Sequence, residues 1–172
     1  MIYRLAHNIG NVDHPNYNSR QEILDCSEPI GFDGIYKNVY ENRDVLVGKS
    51  GILFVMGDFV GKDNRFDLPH VPIIEQYCNW NEIYELVSNY DFKLGWHTWS
   101  HPDLTTLSKT EIMRELKSPF ETDLFAYPYG RFNEFVIECV KEAGYKYAYS
   151  VTQGSRNKVD KDHNYKIYRD YI

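Results

Sequence analysis

The amino-acid sequence predicts an α/β protein with mostly parallel strands, on three observations. Short apolar runs alternate with longer amphipathic stretches along the whole chain. Helix-capping signals fall between those runs, and strand followed by helix, repeated, implies parallel strands joined by right-handed crossovers. A length of 172 residues with 42% apolar content suffices for one core, so residues 1–172 are expected to form a single domain.

The expected strands are Ile2–Ala6, Ile30–Asp33, Gly51–Met56, Phe92–His97, Leu124–Tyr127, Tyr145–Val151 and Lys166–Tyr171, most of them ending near a Gly, a Pro or a polar residue. Helices are expected in between. In "NWNEIYELVSNY" Trp80, Ile83, Tyr84 and Val87 fall at helical spacing, with Asn79 or Asn81 as the cap. "SKTEIMRELKSPF" opens with Ser108 and carries Glu111 three residues on, the pattern of a capping box. "NEFVIECVKEAGY" starts at Asn133 and stops at Gly144, a natural residue just past a helix end. Residues 61–79 are too long and too Pro-interrupted for a tight connection and read either as a lid or binding loop over the site or as a meandering surface crossing.

Composition narrows the partners. A net charge of −6 without any Lys/Arg-rich run argues against nucleic acid, which needs concentrated positive charge. The apolar run Ile52–Met56 is far short of the roughly 20 residues of a membrane helix. "MIYRLAHNIGN" has no apolar segment of signal-peptide length, so a cytoplasmic location is expected. Cys26, Cys78 and Cys139 are odd in number and widely spaced, which reads as three reduced, mostly buried thiols. With 3 Trp, 15 Tyr and 9 Phe, about one residue in six is aromatic, and some of these are expected to line a cleft suited to sugar rings or bases.

In folds of this class ligands bind at the carboxyl ends of the strands. Asp33, Gly57-Asp58, His97 and the stretch Tyr127–Gly130 each close an expected strand, as loops assembling one site would. In "GWHTWSHPDL" His97 and His101 have metal-ligand spacing, and Pro102 stiffens the turn while Thr98 and Ser100 offer supporting hydrogen bonds. The same pair is equally compatible, on spacing alone, with hydrogen-bonded histidines at a strand end. Strand alternation puts Trp96 and Trp99 on opposite sides, one of them in the core. Asp33 also suits the cap of a helix over "GIYKNVYENR". His7, at the end of the first strand, reaches towards the cleft, whereas His14 reads as surface loop.

"HTWSHPDL" resembles the His-(Ser/Thr)-x-x-His-Pro motif of the polysaccharide deacetylase family (NodB homology, carbohydrate esterase type 4). "IGFDGIYKNVYENRDVL" with "SGILFVMGDFV" is similar to that family's first catalytic strand, helix and second strand, and "FAYPYGRFNEFVIECVKEAGYKYAYSV" to its Pro-Tyr loop, helix and strand. The likeness covers roughly residues 30 to 151 in the family's order. It implies a distorted, incomplete (β/α) barrel of 6 or 7 mostly parallel strands and a hydrolase acting on C–N bonds other than peptide bonds. The implied cofactor is a divalent metal, best matched by Zn²⁺, and the implied substrate is an N-acetylated sugar or glycan.

By the same resemblance His97 and His101 are metal ligands, Asp33 is the base and shares in metal binding, and the Tyr129 amide helps hold the oxyanion. Trp99, Tyr127, Pro128 and Asp58 are the implied substrate contacts. The expected setting is synthesis of surface polysaccharide or lipopolysaccharide O-antigen. The sequence departs from the family at three places. Gly34 stands where a second aspartate, a metal ligand, is usual, which leaves Asp58 or Asp25 as substitutes; Ala126 stands where an arginine orients the base. The acid histidine is absent from "KIYRDYI", with His163 just before that strand and Asp170 within it. These departures keep two alternatives open: a glycan-binding or assembly module without catalysis, and a metal-dependent amide hydrolase with a non-carbohydrate substrate. The oligomeric state stays open as well.

Overall fold

In the computed structural model the described residues are Tyr3–Val151 and His163–Ile172. Ile2, expected to open the first strand, lies outside them. Among the described residues nine strands follow one another: β1 Tyr3–Ala6, β2 Asn8–Ile9, β3 Tyr17–Asn18, β4 Ile30–Asp33, β5 Ser50–Val55, β6 Asp91–Trp96, β7 Leu124–Ala126, β8 Tyr147–Val151 and β9 Ile167–Tyr171. The helices are α1 Arg20–Asp25, α2 Lys37–Glu41, α3 Trp80–Asn89, α4 Lys109–Glu115 and α5 Glu134–Glu142. Seven strands form a barrel in the order β1-β4-β5-β6-β7-β8-β9, every pairing parallel. The barrel is closed and not open at a missing wall, because β9 pairs with β1 (Tyr3↔Arg169, Arg4↔Asp170, Leu5↔Tyr171). The short β2 and β3 pair with each other outside it, and neither these nor α1 was anticipated.

Capping fixes the helix starts. Asn79 and Ser108 each form a full capping box, with Glu82 and Glu111 respectively, and the Asn133 side chain accepts from the Val136 N–H. Asp33 is not the cap of α2; Tyr36 occupies that position without a side-chain hydrogen bond. The main core lies between barrel and helices, built from outward residues such as Phe32, Leu53, Trp96, Phe125 and Ala148. Side chains at the alternate positions fill the barrel, where Ile52, Phe54, Ala126 and Tyr149 form a second cluster. All three cysteines are buried free thiols.

The segment from 61 to 79 is stitched down. The buried Asn64 donates from Nδ2 to the Ile73 carbonyl (2.9 Å) and accepts from the Glu75 N–H (2.8 Å). Glu75 in turn accepts from the side-chain amides of Asn8 (2.7 Å), Asn11 (2.6 Å) and Asn38 (2.9 Å). His14 belongs to the same cluster: it is buried rather than on the surface, and its Nε2 lies 3.6 Å from Glu75. One carboxylate therefore binds the loop to the segment after β1 and to α2. Replacing Glu75 by Ala leaves these buried amides without their acceptor, and a loss of about 1–3 kcal/mol in urea unfolding is expected.

Candidate active site at the barrel mouth

Period-2 alternation on β4 turns Gly31 and Asp33 inwards. Gly31 has no side chain because the Arg169 guanidinium runs past it; an added Cβ would lie 2.8 Å from Arg169 Nη1. Arg169, inward on β9, donates through Nη1 and Nη2 to the two oxygens of Asp33 at 2.6 and 2.7 Å. Its Nε donates to the Ser150 carbonyl (3.3 Å), and the guanidinium lies 5.0 Å from the centre of the Phe54 ring. Both partners are buried, Asp33 at 7% exposure and Arg169 at 0%. Burial by itself would push the Asp33 carboxyl up, but Arg169 and then His97 outweigh it and hold the acid down at about 2. Asp33 is thus an ionised, oriented carboxylate, and the arginine missing at Ala126 is supplied from β9.

His97 follows β6 and also points inwards, its Nδ1 2.8 Å from the Ala126 carbonyl. A carbonyl only accepts, so Nδ1 carries the proton and the Nε2 lone pair faces the site, 3.9 Å from Asp33 Oδ2. The next residues form a tight turn in which Thr98 (φ 70°) and His101 (φ 57°) are left-handed, a costly conformation for such side chains. Two devices hold it. Thr98 Oγ1 accepts from the His101 N–H (3.0 Å), and Glu115 at the end of α4 accepts from the Trp99 N–H (2.8 Å), the Ser100 N–H (3.0 Å) and the Ser100 hydroxyl (2.8 Å). The His101 ring then lies 4.9 Å from His97 and 4.5 Å from Tyr129 between centres. Burial lowers the pKa of both histidines, which favours their neutral, donor form.

These groups open into a cavity of about 400 Å³ at the C-terminal end of the barrel, lined by five of the six histidines of the chain: His7, His14, His70, His97 and His101. His7 comes from β1, whose residue Ala6 pairs with Phe32, so that it stands beside Asp33. Its ring stacks on Tyr171 (6.1 Å), its Nδ1 is buried without a partner, and burial lowers its pKa to about 4. Tyr129, left-handed at φ 57° in the turn after Pro128 and 38% exposed, stands at the rim. Phe66, Asp67 and His70 of the 61–79 loop wall the cavity opposite, with His70 paired to Asp67 at 3.0 Å.

Several residues expected at the site stand elsewhere. Trp99 lies past the strand end and packs edge-on against Trp96 (5.1 Å), so the two indoles share the outer side and do not alternate. Tyr127 is buried with its hydroxyl donating to the Tyr165 carbonyl, and Pro128 is buried beneath the turn. Asp58 is exposed in the turn after β5, Asp25 is exposed at the end of α1, and neither lines the cavity. His163 is exposed in the turn before β9. The sequence reading missed Arg169 and Glu115; only the inward parity of "KIYRDYI" signals the first, and nothing local signals the second.

The donors fit a divalent ion held by two imidazoles. His97 presents a bare Nε2, and the buried His101 Nδ1 has no hydrogen-bond partner. They do not supply a third protein ligand: among the described residues no group of three His, Cys, Asp or Glu is placed to hold an ion. Both Asp33 oxygens are engaged by Arg169.

A carboxylate with an arginine clamp stands beside the imidazoles at the C-terminal mouth of a parallel barrel, where folds of this class carry their sites. The chain belongs to the polysaccharide deacetylase family, whose model, described as Polysaccharide deacetylase, matches residues 48–148. A poly-β-1,6-N-acetyl-D-glucosamine N-deacetylase of Staphylococcus aureus is 24% identical over 144 residues, covering 72% of this chain and 47% of the relative. The chain thus spans about half the length of the curated relatives it matches. Among solved structures, the deacetylase PplD of Streptococcus pyogenes, in complex with acetate, superposes with a TM-score of 0.77 at 14% identity, covering 100% of this chain and 92% of that one. IcaB from Ammonifex degensii gives 0.76 at 16% identity, covering 99% and 91%. A polysaccharide deacetylase from Bacillus cereus gives 0.76 at 19%, covering 99% and 64%.

Arg169→Met leaves a buried carboxylate uncompensated, so a loss of about 3–5 kcal/mol is expected in denaturant unfolding, partly recovered when Asp33→Asn is added. In the presence of a chelator, stability should fall as the pH drops from 6.5 towards 4. The unfolded chain protonates His7 near 6.5 while the folded chain resists until about 4, a slope of about 1.4 kcal/mol per pH unit per proton. Thermal melts across this range, compared with His7→Gln, measure it; an unchanged slope in the variant would remove His7 as the cause.

Proposed function

We propose that the chain is an N-deacetylase of N-acetylated glycans that works with a divalent ion, Zn²⁺ being the best match to two imidazole donors. The observation that carries the reading is the ionised Asp33, clamped by Arg169 beside the bare Nε2 of His97 on the cavity floor. His97 and His101 would hold the ion, which when bound polarises the acetyl carbonyl and acidifies a water. Asp33 accepts the proton of the attacking water, and Arg169 keeps the carboxylate ionised and aimed. The water oxygen bonds to the acetyl carbon, the C–N bond breaks, and the amine leaves with a proton, giving acetate and a free amino sugar. His7, neutral at rest, takes the place of the acid absent from β9: it reaches the cavity from the adjacent strand, receives the proton that Asp33 has taken from the water and passes it to the nitrogen. Tyr129 offers a ring face at the rim for a sugar.

The names of the curated relatives support a polymer of N-acetylglucosamine as the substrate. A role in surface-polysaccharide synthesis, with a lipopolysaccharide O-antigen intermediate as one such substrate, is part of the same proposal. Among the described residues no helix is long and apolar enough to cross a membrane. A second reading, a glycan-binding module without turnover, is favoured by one observation, the glycine at position 34. Acetate release from N-acetylglucosamine oligomers in the presence of Zn²⁺ separates the two. Asp33→Asn and His97→Ala are expected to lower it at least 100-fold while oligomer binding persists. Binding without any acetate release from the parent protein would establish the second reading instead.

A further inference from the structure

We infer that Met56 and Tyr77 have taken over the room of the third metal ligand, so that the ion at His97 and His101 is held by two protein donors and exchanges readily. The inference rests on the metal reading proposed above and specifies how the ion is held. Gly34 follows Asp33 directly at φ 59°, and its N–H donates to the Phe54 carbonyl (3.0 Å), which fixes its backbone at the barrel mouth. A Cβ added there would fall well inside contact of the Met56 methyl and 3.1 Å from Tyr77 Cε1. The φ value alone does not forbid an aspartate, because Asp tolerates the left-handed region better than most residues.

The obstacle is therefore the packing behind the glycine. Met56, buried at the end of β5, lines the cavity; Tyr77 stacks on Tyr36 at 4.4 Å and its hydroxyl donates to that of Tyr36 at 3.1 Å. The ring pair is tied on both sides, so the methionine is the part that can be cut back. No substitute enters from elsewhere among the positions considered: Asp33 is bound by Arg169, and Asp25 and Asp58 are outside the cavity. With two donors the ion keeps its remaining positions for water and substrate oxygen, at the expense of affinity.

The test is Zn²⁺ affinity and stoichiometry, read by competition with a chromophoric chelator on the full chain, with activity playing no part. The parent protein is expected to bind one ion that the chelator removes, His101→Ala to bind none, and Met56→Ala to match the parent. Gly34→Asp with Met56→Ala is expected to tighten binding at least tenfold, and Gly34→Asp alone to fall clearly short of that. Gly34→Asn with Met56→Ala, of equal bulk without the charge, reports by its melting temperature whether the pocket still folds; if it folds, unchanged affinity in the aspartate double variant overturns the inference. If it does not fold, the affinity of the parent decides: retention of the ion against the chelator as tightly as a three-donor site overturns the inference, and loss of the ion upholds it. Tightening by Gly34→Asp alone to the level of the double variant overturns the part given to Met56. Absence of binding in every protein, the folded double variant included, overturns the proposed metal reading itself, an outcome distinct from the others.

Discussion

The buried ion pair of Arg169 and Asp33 is the contact on which the mouth of this barrel depends. Two charges withdrawn from water are stable only when fully paired, and here each carboxylate oxygen receives its own N–H. The pair spans 136 positions of sequence and joins β9 to β4 across β1, so it exists only because the barrel closes through β1. Gly31 leaves the channel for the guanidinium, and Phe54 and Tyr149 form its aromatic walls. The same contact that holds the closure sets the ionisation of the candidate base, so stability and chemistry share one interaction.

Around that pair, the site is arranged by strand parity and by strain held in place. Leu5 and His7, Gly31 and Asp33, Gly95 and His97, and Arg169 and Tyr171 are each two apart on or just beyond their strands, so each second member faces the barrel axis at the mouth. Beyond the strands, the three left-handed non-glycine residues among the described residues, Thr98, His101 and Tyr129, all belong to the two turns at the cavity. Such conformations persist where surrounding contacts over-determine them. Glu115 is the main restraint on the first turn, from a helix end with no chemistry of its own.

The cavity wall is polar inside and aromatic at its face. Glu75 gathers Asn8, Asn11 and Asn38 behind the wall, while Tyr36, Tyr77 and Phe66 present rings to the cavity. The family's usual second aspartate would enter this region at position 34. Met56 and Tyr77 stand where its side chain would enter, so apolar packing fills the wall there.

The sequence alone determined the parallel α/β class, the places of the seven barrel strands to within a residue or two, the helix starts at Ser108 and Asn133, and a third start narrowed to Asn79 or Asn81. These follow from local physics: side-chain period, capping hydrogen bonds and turn chemistry act over a few residues. The pairing of His97 with His101 and the family were legible for a related reason, since that motif is contiguous. Tertiary structure decided the rest. Arg169 became the partner of Asp33, His14 entered the cavity, and Trp99, Tyr127 and Asp58 were turned away from it, because barrel closure and packing bring together residues from opposite ends of the chain. What fills the space beside Gly34 was decided there as well. A missing side chain is visible in a sequence, whereas the neighbours that occupy its room are fixed only by the fold.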